Sequence, residues 1–153
     1  GIRLKGTDKV VEMDVVKNLE ESMLLVVMKN GLGKCSKLIN YRIQTRGGSG
    51  IKTANVTDKT GKIIGAKILN QEKKADGDLI MVSKEGQLIR LPMKNIPVQG
   101  RSTQGVYLMR FKGSDTVASI SLIMPFGDDS DDSSEEDKEK KGKEEKPKQE
   151  ALT

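Results

Sequence analysis

Two short stretches of this 153-residue chain set arginine beside glycine in a spacing that can do chemistry. The first, Arg46-Gly-Gly-Ser-Gly-Ile-Lys-Thr53, approaches a nucleotide-binding phosphate loop. Such a loop needs G-x-x-x-x-G-K-[ST] between a strand and a helix. Here Ile51 separates Gly50 from Lys52, residue 45 is Thr, and no helical pattern follows, so a nucleotide site is not expected. Two readings stay open. The segment is a tight turn whose glycines supply positive φ, or it is a turn whose exposed N–H groups, beside Arg46 and Lys52, hold phosphate oxygens. The second stretch, Gln99-Gly-Arg-Ser-Thr-Gln-Gly105, puts Arg101 in the equivalent place.

Other chemistries lack their residues. There is no His, which removes His bases, His triads and His-ligated metals. Cys35 is the lone cysteine, so an internal disulfide and a Cys-rich zinc site are excluded, and its strand-like setting suggests an inert thiol. Tyr41 and Tyr107 have no neighbour in sequence that would activate a nucleophile. Asp128-Asp-Ser-Asp-Asp132 lacks the glycine turn and ligand spacing of a calcium loop and reads as a solvated acidic run. No catalytic residue, metal or cofactor is expected. No apolar run approaches the roughly 18 residues of a membrane span, so no membrane partner is expected either.

Charge is unevenly distributed. Residues 1–126 hold 21 Lys and Arg against 11 Asp and Glu, net +10. Residues 127–153 hold 6 Lys against 11 acids, net −5, with no aromatic residue. That tail cannot bury enough surface to offset ordering entropy and reads as disordered, mixed-charge chain. The basic body points to a polyanionic partner. Its candidate phosphate contacts are Lys34, Lys37, Arg42, Arg46, Lys52, Arg90, Lys94, Arg101 and Arg110. Sequence-independent binding of duplex phosphate needs little more than such an array. Only two Tyr and two Phe are present, too few for a stacking platform that reads single strands.

The elements that position these cations emerge from an internal repeat. Leu24–Gly50 aligns with Leu79–Gly105 without a gap, with eight of 27 positions identical, among them Gly31/Gly86, Gln44/Gln99, Arg46/Arg101 and Gly50/Gly105. A second element recurs three times, from Gly6 to Val16, Gly61 to Leu69 and Gly113 to Ile123. Ile51–Val56, Lys62–Leu69, Asp78–Ser83 and Gln87–Leu91 are short and rich in Ile, Leu, Val and Thr, separated by the turns Asp58–Gly61, Ala75–Gly77 and Lys84–Gly86. Lys29-Asn-Gly31 is the matching hairpin signal in the earlier copy. By the repeat, Val10–Asn18 is also expected as strand. Met28, Met81 and Met109 fall in strand patterns and read as core. Four strands per roughly 54 residues is the rhythm of propeller blades. The expected fold is all-β: a partial propeller over 1–126, with repeats at about 1–16 (partial), 24–69 and 79–123, and the tail at 127–153. The first unit is entered part-way, as in a fragment.

These residues resemble a known family. Ile96-Pro-Val-Gln-Gly-Arg-Ser-Thr-Gln-Gly-Val106 is similar to the glycine–arginine segment in the last repeat of the DNA gyrase A subunit, and Tyr41–Thr53 to the repeat before it. Leu79–Leu91 and Asp115–Ile123 resemble the family's strands. The resemblance implies a β-pinwheel with a basic perimeter around which DNA wraps, supporting supercoiling in a type IIA topoisomerase. It implies partners: duplex DNA, the gyrase B subunit, plus the rest of the gyrase A subunit, in the bacterial cytoplasm near the nucleoid. Gln44-Thr-Arg-Gly-Gly-Ser-Gly50 resembles the family's Q-[RK]-R-G-G-[RK]-G box, but Thr45 and Ser49 stand where that box is basic, so it is a degenerate counterpart. The family's catalytic tyrosine and magnesium-binding acids lie in parts absent here, so the chain is expected to be non-catalytic by itself. Two alternatives are the related repeat domain of topoisomerase IV and a protein-interaction propeller that binds no DNA.

Overall fold

The computed structural model describes residues 1–124, and for Lys73 its backbone only. The expected tail over 127–153 lies outside the described residues.

Among the described residues, seven strands form two antiparallel sheets. β1 (Ser22–Met28), β2 (Leu32–Lys37), β3 (Ile63–Asn70) and β6 (Val106–Tyr107) make one, in the order β3-β1-β2-β6. β4 (Asp78–Ser83), β5 (Leu88–Pro92) and β7 (Val117–Ile123) make the other, in the order β5-β4-β7. β1 is a run of apolar and β-branched residues because it is central and covered on both faces. Met23, Leu25 and Val27 face the main core, and Met28 packs with Leu32 and Ala54 in a smaller cluster. β4 alternates instead, burying Leu79, Met81 and Ser83 and leaving Asp78, Ile80 and Val82 half-exposed.

The two sheets share one core. Met23, Leu25, Val27 and Leu69 pack in the same cluster as Leu79, Met81, Met93, Ile96, Met109 and Val117. The methionines expected inside are inside: Met28, Met81 and Met109 are all buried. The repeat is visible in detail. Pairing of β1 with β3 shifts register between Val27 and Met28, and pairing of β4 with β7 shifts between Val82 and Ser83, the same place 55 residues on. Both bulges sit where a strand end must turn toward the next hairpin.

Two expected strands are not formed. Val10–Asn18 is open chain, with Met13 91% and Val15 77% exposed, tied to β3 through a Glu12–Lys67 ion pair (3.1 Å) and a hydrogen bond from the Ile68 N–H to Asp14 Oδ2 (3.1 Å). By repeat order this segment is equivalent to β3 and β7, each of which lies on a β1-type strand. Among the described residues the strands of that type are β1 and β4, and each already has both edges occupied. Ile51–Val56 is likewise irregular. Its counterpart β6 is a strand of two residues that crosses to the other sheet, pairing Tyr107 with Leu32 and Val106 with Gly33. The fourth strand of the first sheet is therefore lent by the following repeat, which a simple four-strands-per-repeat count does not reveal.

Candidate nucleic-acid interface

The segment from Pro97 to Gly105 is strapped to β2. The Cys35 N–H donates to the Pro97 carbonyl (2.9 Å), and the Gln99 N–H donates to the Cys35 carbonyl (2.8 Å). Ser36 Oγ donates to the Gln99 carbonyl (2.8 Å). Gly105 has φ +80° and lies so close to Gly33 that a Cβ would come 2.5 Å from the Gly33 carbonyl oxygen. A glycine is needed here both for backbone conformation and for close approach.

Lys34 anchors the centre of this strap. It is fully buried, and its Nζ donates to the carbonyls of Gly100 and Arg101 (2.6 Å each) and to Thr103 Oγ1 (3.1 Å). Three acceptors offset the cost of burying an ammonium. Burial, with the nearby Arg101 charge, lowers its pKa below the ordinary 10.5. Lys34 is thus not placed to touch phosphate; it shapes the turn that carries Arg101. This corrects its expected place on the rim: the side chain faces inward because Lys34 lies on the covered centre of β2.

Arg101 is half-buried. Its guanidinium lies over the Tyr41 ring, 5.6 Å from the centroid, and Nη1 donates to the Lys52 carbonyl (3.1 Å). Lys34, Lys52 and Arg101 therefore converge at one junction between the repeats. Lys52 itself is exposed, with Nζ donating to Asn55 Oδ1 (3.0 Å). Arg46, the repeat counterpart of Arg101, is exposed and makes no hydrogen bond or ion pair among the described residues. Its turn is held by the Gly47 N–H on the Gly1 carbonyl (2.8 Å) and the Arg3 N–H on the Gly48 carbonyl (2.9 Å), and no helix follows, unlike a phosphate loop.

Lys37, Arg42 and Lys94 are exposed at or beside the short 3-10 turns Leu38–Asn40 and Met93–Asn95 that end β2 and β5. Arg90, on β5, is held by Asp78, with Nε and Nη2 donating to Oδ2 at 2.7 and 2.5 Å, so its charge is already partnered. Arg110 is exposed and stacks over Tyr107, 4.5 Å from the ring centroid. One cation escaped the sequence reading: Lys59 lies over the same ring at 5.8 Å. Forty-eight residues and a repeat boundary separate Lys59 from Tyr107, so periodicity gave no sign of it. Among the described residues no helix is long and apolar enough to cross a membrane.

Comparison with known proteins places this geometry. The family model described as DNA gyrase C-terminal domain, beta-propeller, matches residues 23–70 and 77–124, nearly the bounds of the two sheet units. The DNA gyrase A subunit of Rickettsia bellii is 37% identical over 130 residues, covering 85% of this chain and 14% of that protein. The corresponding protein of Thermotoga maritima is 34% identical over 122 residues, covering 80% of this chain and 15% of that protein. The chain thus spans about one-seventh of the curated relatives it matches. A solved structure of a DNA gyrase A C-terminal domain superposes with a TM-score of 0.58 at 25% identity, over 65% of this chain and 33% of that one. A topoisomerase IV C-terminal domain superposes at 0.61 with 20% identity, over 71% and 32%, a likeness of fold. With two repeats matched in sequence and in architecture, the chain belongs to the DNA gyrase A C-terminal β-propeller family.

Proposed function

We propose that the chain binds duplex DNA through its phosphate backbone, without regard to sequence, and bends it as part of a gyrase A subunit, working with gyrase B and with the rest of its own subunit in the bacterial cytoplasm. One observation carries the reading: the exposed side chains of Lys37, Arg42, Arg46, Lys52, Lys59, Lys94 and Arg110 have no carboxylate partner among the described residues. These seven cations, in a body whose net charge over residues 1–126 is +10, are available for counterion release from DNA. Among the described residues no α-helix is present to enter a major groove, so base reading has no element to carry it. Bending a site of 20–30 base pairs costs of order 1–6 kcal/mol, so several contacts must act together.

The test is energy transfer between dyes at the two ends of a duplex of about 30 base pairs. The reading expects transfer to rise as the chain saturates the duplex. Saturable binding with unchanged transfer would remove the bending claim, and absence of binding would remove the whole reading in favour of a protein-interaction surface.

A further inference from the structure

Tyr107 is one of two tyrosines in the chain, and 41% of it is exposed although it sits in a strand. It lies on β6, the short strand by which the later repeat closes on β2, at a junction to which both repeats contribute. Lys59 arrives from the Asp58–Gly61 turn of the earlier repeat and Arg110 from the chain just after β6. With Lys59 Nζ 5.8 Å and Arg110 Cζ 4.5 Å from the ring centroid, the two charges are at most about 10 Å apart. That is about one screening length at 0.1 M salt, close enough for one anionic ligand to feel both charges. Neither cation forms an ion pair among the described residues. The hollow beside Arg110 also holds Lys112, Glu85 and Asp115, but the Asp115 carboxylate is engaged by the N–H groups of Glu85 (3.1 Å) and Thr116 (2.7 Å). Two like charges held at one aromatic ring, neither of them ion-paired among the described residues, form a site that an anion completes. The ring's role is to pin two long, mobile side chains by cation–π attraction.

We infer that Lys59, Tyr107 and Arg110 form a second phosphate-gripping station, in which the tyrosine ring positions the two cations on the DNA backbone at the junction between repeats. The inference rests on the duplex-binding reading above and adds to it a station that the glycine–arginine turns do not include. Tyr107 is a positioning residue, and it is the ring rather than the hydroxyl that matters.

The experiment measures binding of the 153-residue chain and four variants to one labelled duplex as a function of salt, with melting curves for each protein. Lys59→Ala and Arg110→Ala should each flatten the slope of log K against log[salt] by about 0.9 and weaken binding about eightfold at 0.1 M, one contact's worth of counterion release. Tyr107→Leu should weaken binding roughly twofold to fivefold, the scale of an exposed cation–π contact. Tyr107→Phe should bind like the parent. Lys59 sits in an exposed turn, so its variant stays informative even if Tyr107→Leu disturbs β6. Parent binding with slopes unchanged in both the Lys59 and Arg110 variants would overturn the station alone. A Tyr107→Phe loss as large as that of Tyr107→Leu would overturn the ring's role. Failure of the parent chain to bind would overturn the duplex-binding reading itself, and the station with it.

Discussion

Lys34 Nζ lies 2.6 Å from the backbone carbonyl oxygen of Arg101, across 67 residues of chain and from one repeat to the next. A buried lysine of one unit thereby fixes the turn that bears the arginine of the other. Removing the ammonium takes away the donor shared by the Gly100 and Arg101 carbonyls and leaves an apolar side chain against them, at a cost of about 1 kcal/mol. Lys34→Met is therefore expected to lower the urea midpoint without changing the slope of the unfolding transition. A midpoint equal to the parent's would show that the strap is held by its backbone bonds alone.

Arg46 and Arg101 hold the same place in the repeat but different places in the molecule. Arg46→Ala should leave stability within about 0.5 kcal/mol of the parent and flatten the salt slope of DNA binding by about 0.9. Arg101→Ala removes the stacking on Tyr41 and the bond to the Lys52 carbonyl, so it should cost about 1 kcal/mol of stability. Equal melting temperatures for the two variants would contradict this division.

Glycines with similar positive φ should differ in tolerance. Gly86 has φ +87° and open space where a Cβ would stand, so Gly86→Ala carries only the left-handed penalty of about 1–2 kcal/mol. Gly105→Ala adds a collision with the Gly33 backbone and should be clearly the more destabilising of the two. The order of the two melting temperatures decides the matter.

How much of this is legible in the sequence follows from which signals are local. The repeat, the hairpin turns and β3, β4 and β5 are readable because apolar alternation and glycine punctuation act within a few residues. The strand expected over Val10–Asn18 does not form because a strand needs a free edge, and no β1-type edge is free among the described residues. Lys34 reads as a rim cation when its charge is weighed without its position. The repeat alignment does carry a hint: Lys34 falls opposite Ile89, an apolar site. The Lys59–Tyr107–Arg110 cluster has no such trace, since Lys59 comes from the other repeat, 48 residues before Tyr107.

The acid side of the stability profile should depend on Asp115. Desolvation raises its pKa, but hydrogen bonds from the Ser83 side chain and from the backbone of Thr116, Glu85 and Lys84 together outweigh this and hold it below the ordinary 3.8. A carboxyl depressed in the folded state stabilises above its unfolded value and loses that contribution as pH falls through the folded one. Thermal melts should decline as pH drops below about 3.8, and Asp115→Asn should flatten the decline. A variant with the parent's acid profile would assign the loss to other carboxylates.

Cys35 is buried, and burial raises its thiol above the ordinary 9.0, with the charge of Lys74 opposing only in part. Alkylation by iodoacetamide at a mildly alkaline pH should be slow in the native chain and fast in denaturant. Equal rates would mean that β2 opens readily.

The central claim is that the chain grips duplex DNA by phosphate alone, and salt dependence tests it most directly. Affinity should be measured for two unrelated duplexes of equal length between about 50 and 200 mM salt. Four or more phosphate contacts predict a slope of log K against log[salt] steeper than about −3, the same for both sequences. A flat line, or affinities for the two duplexes differing more than about tenfold, would contradict it.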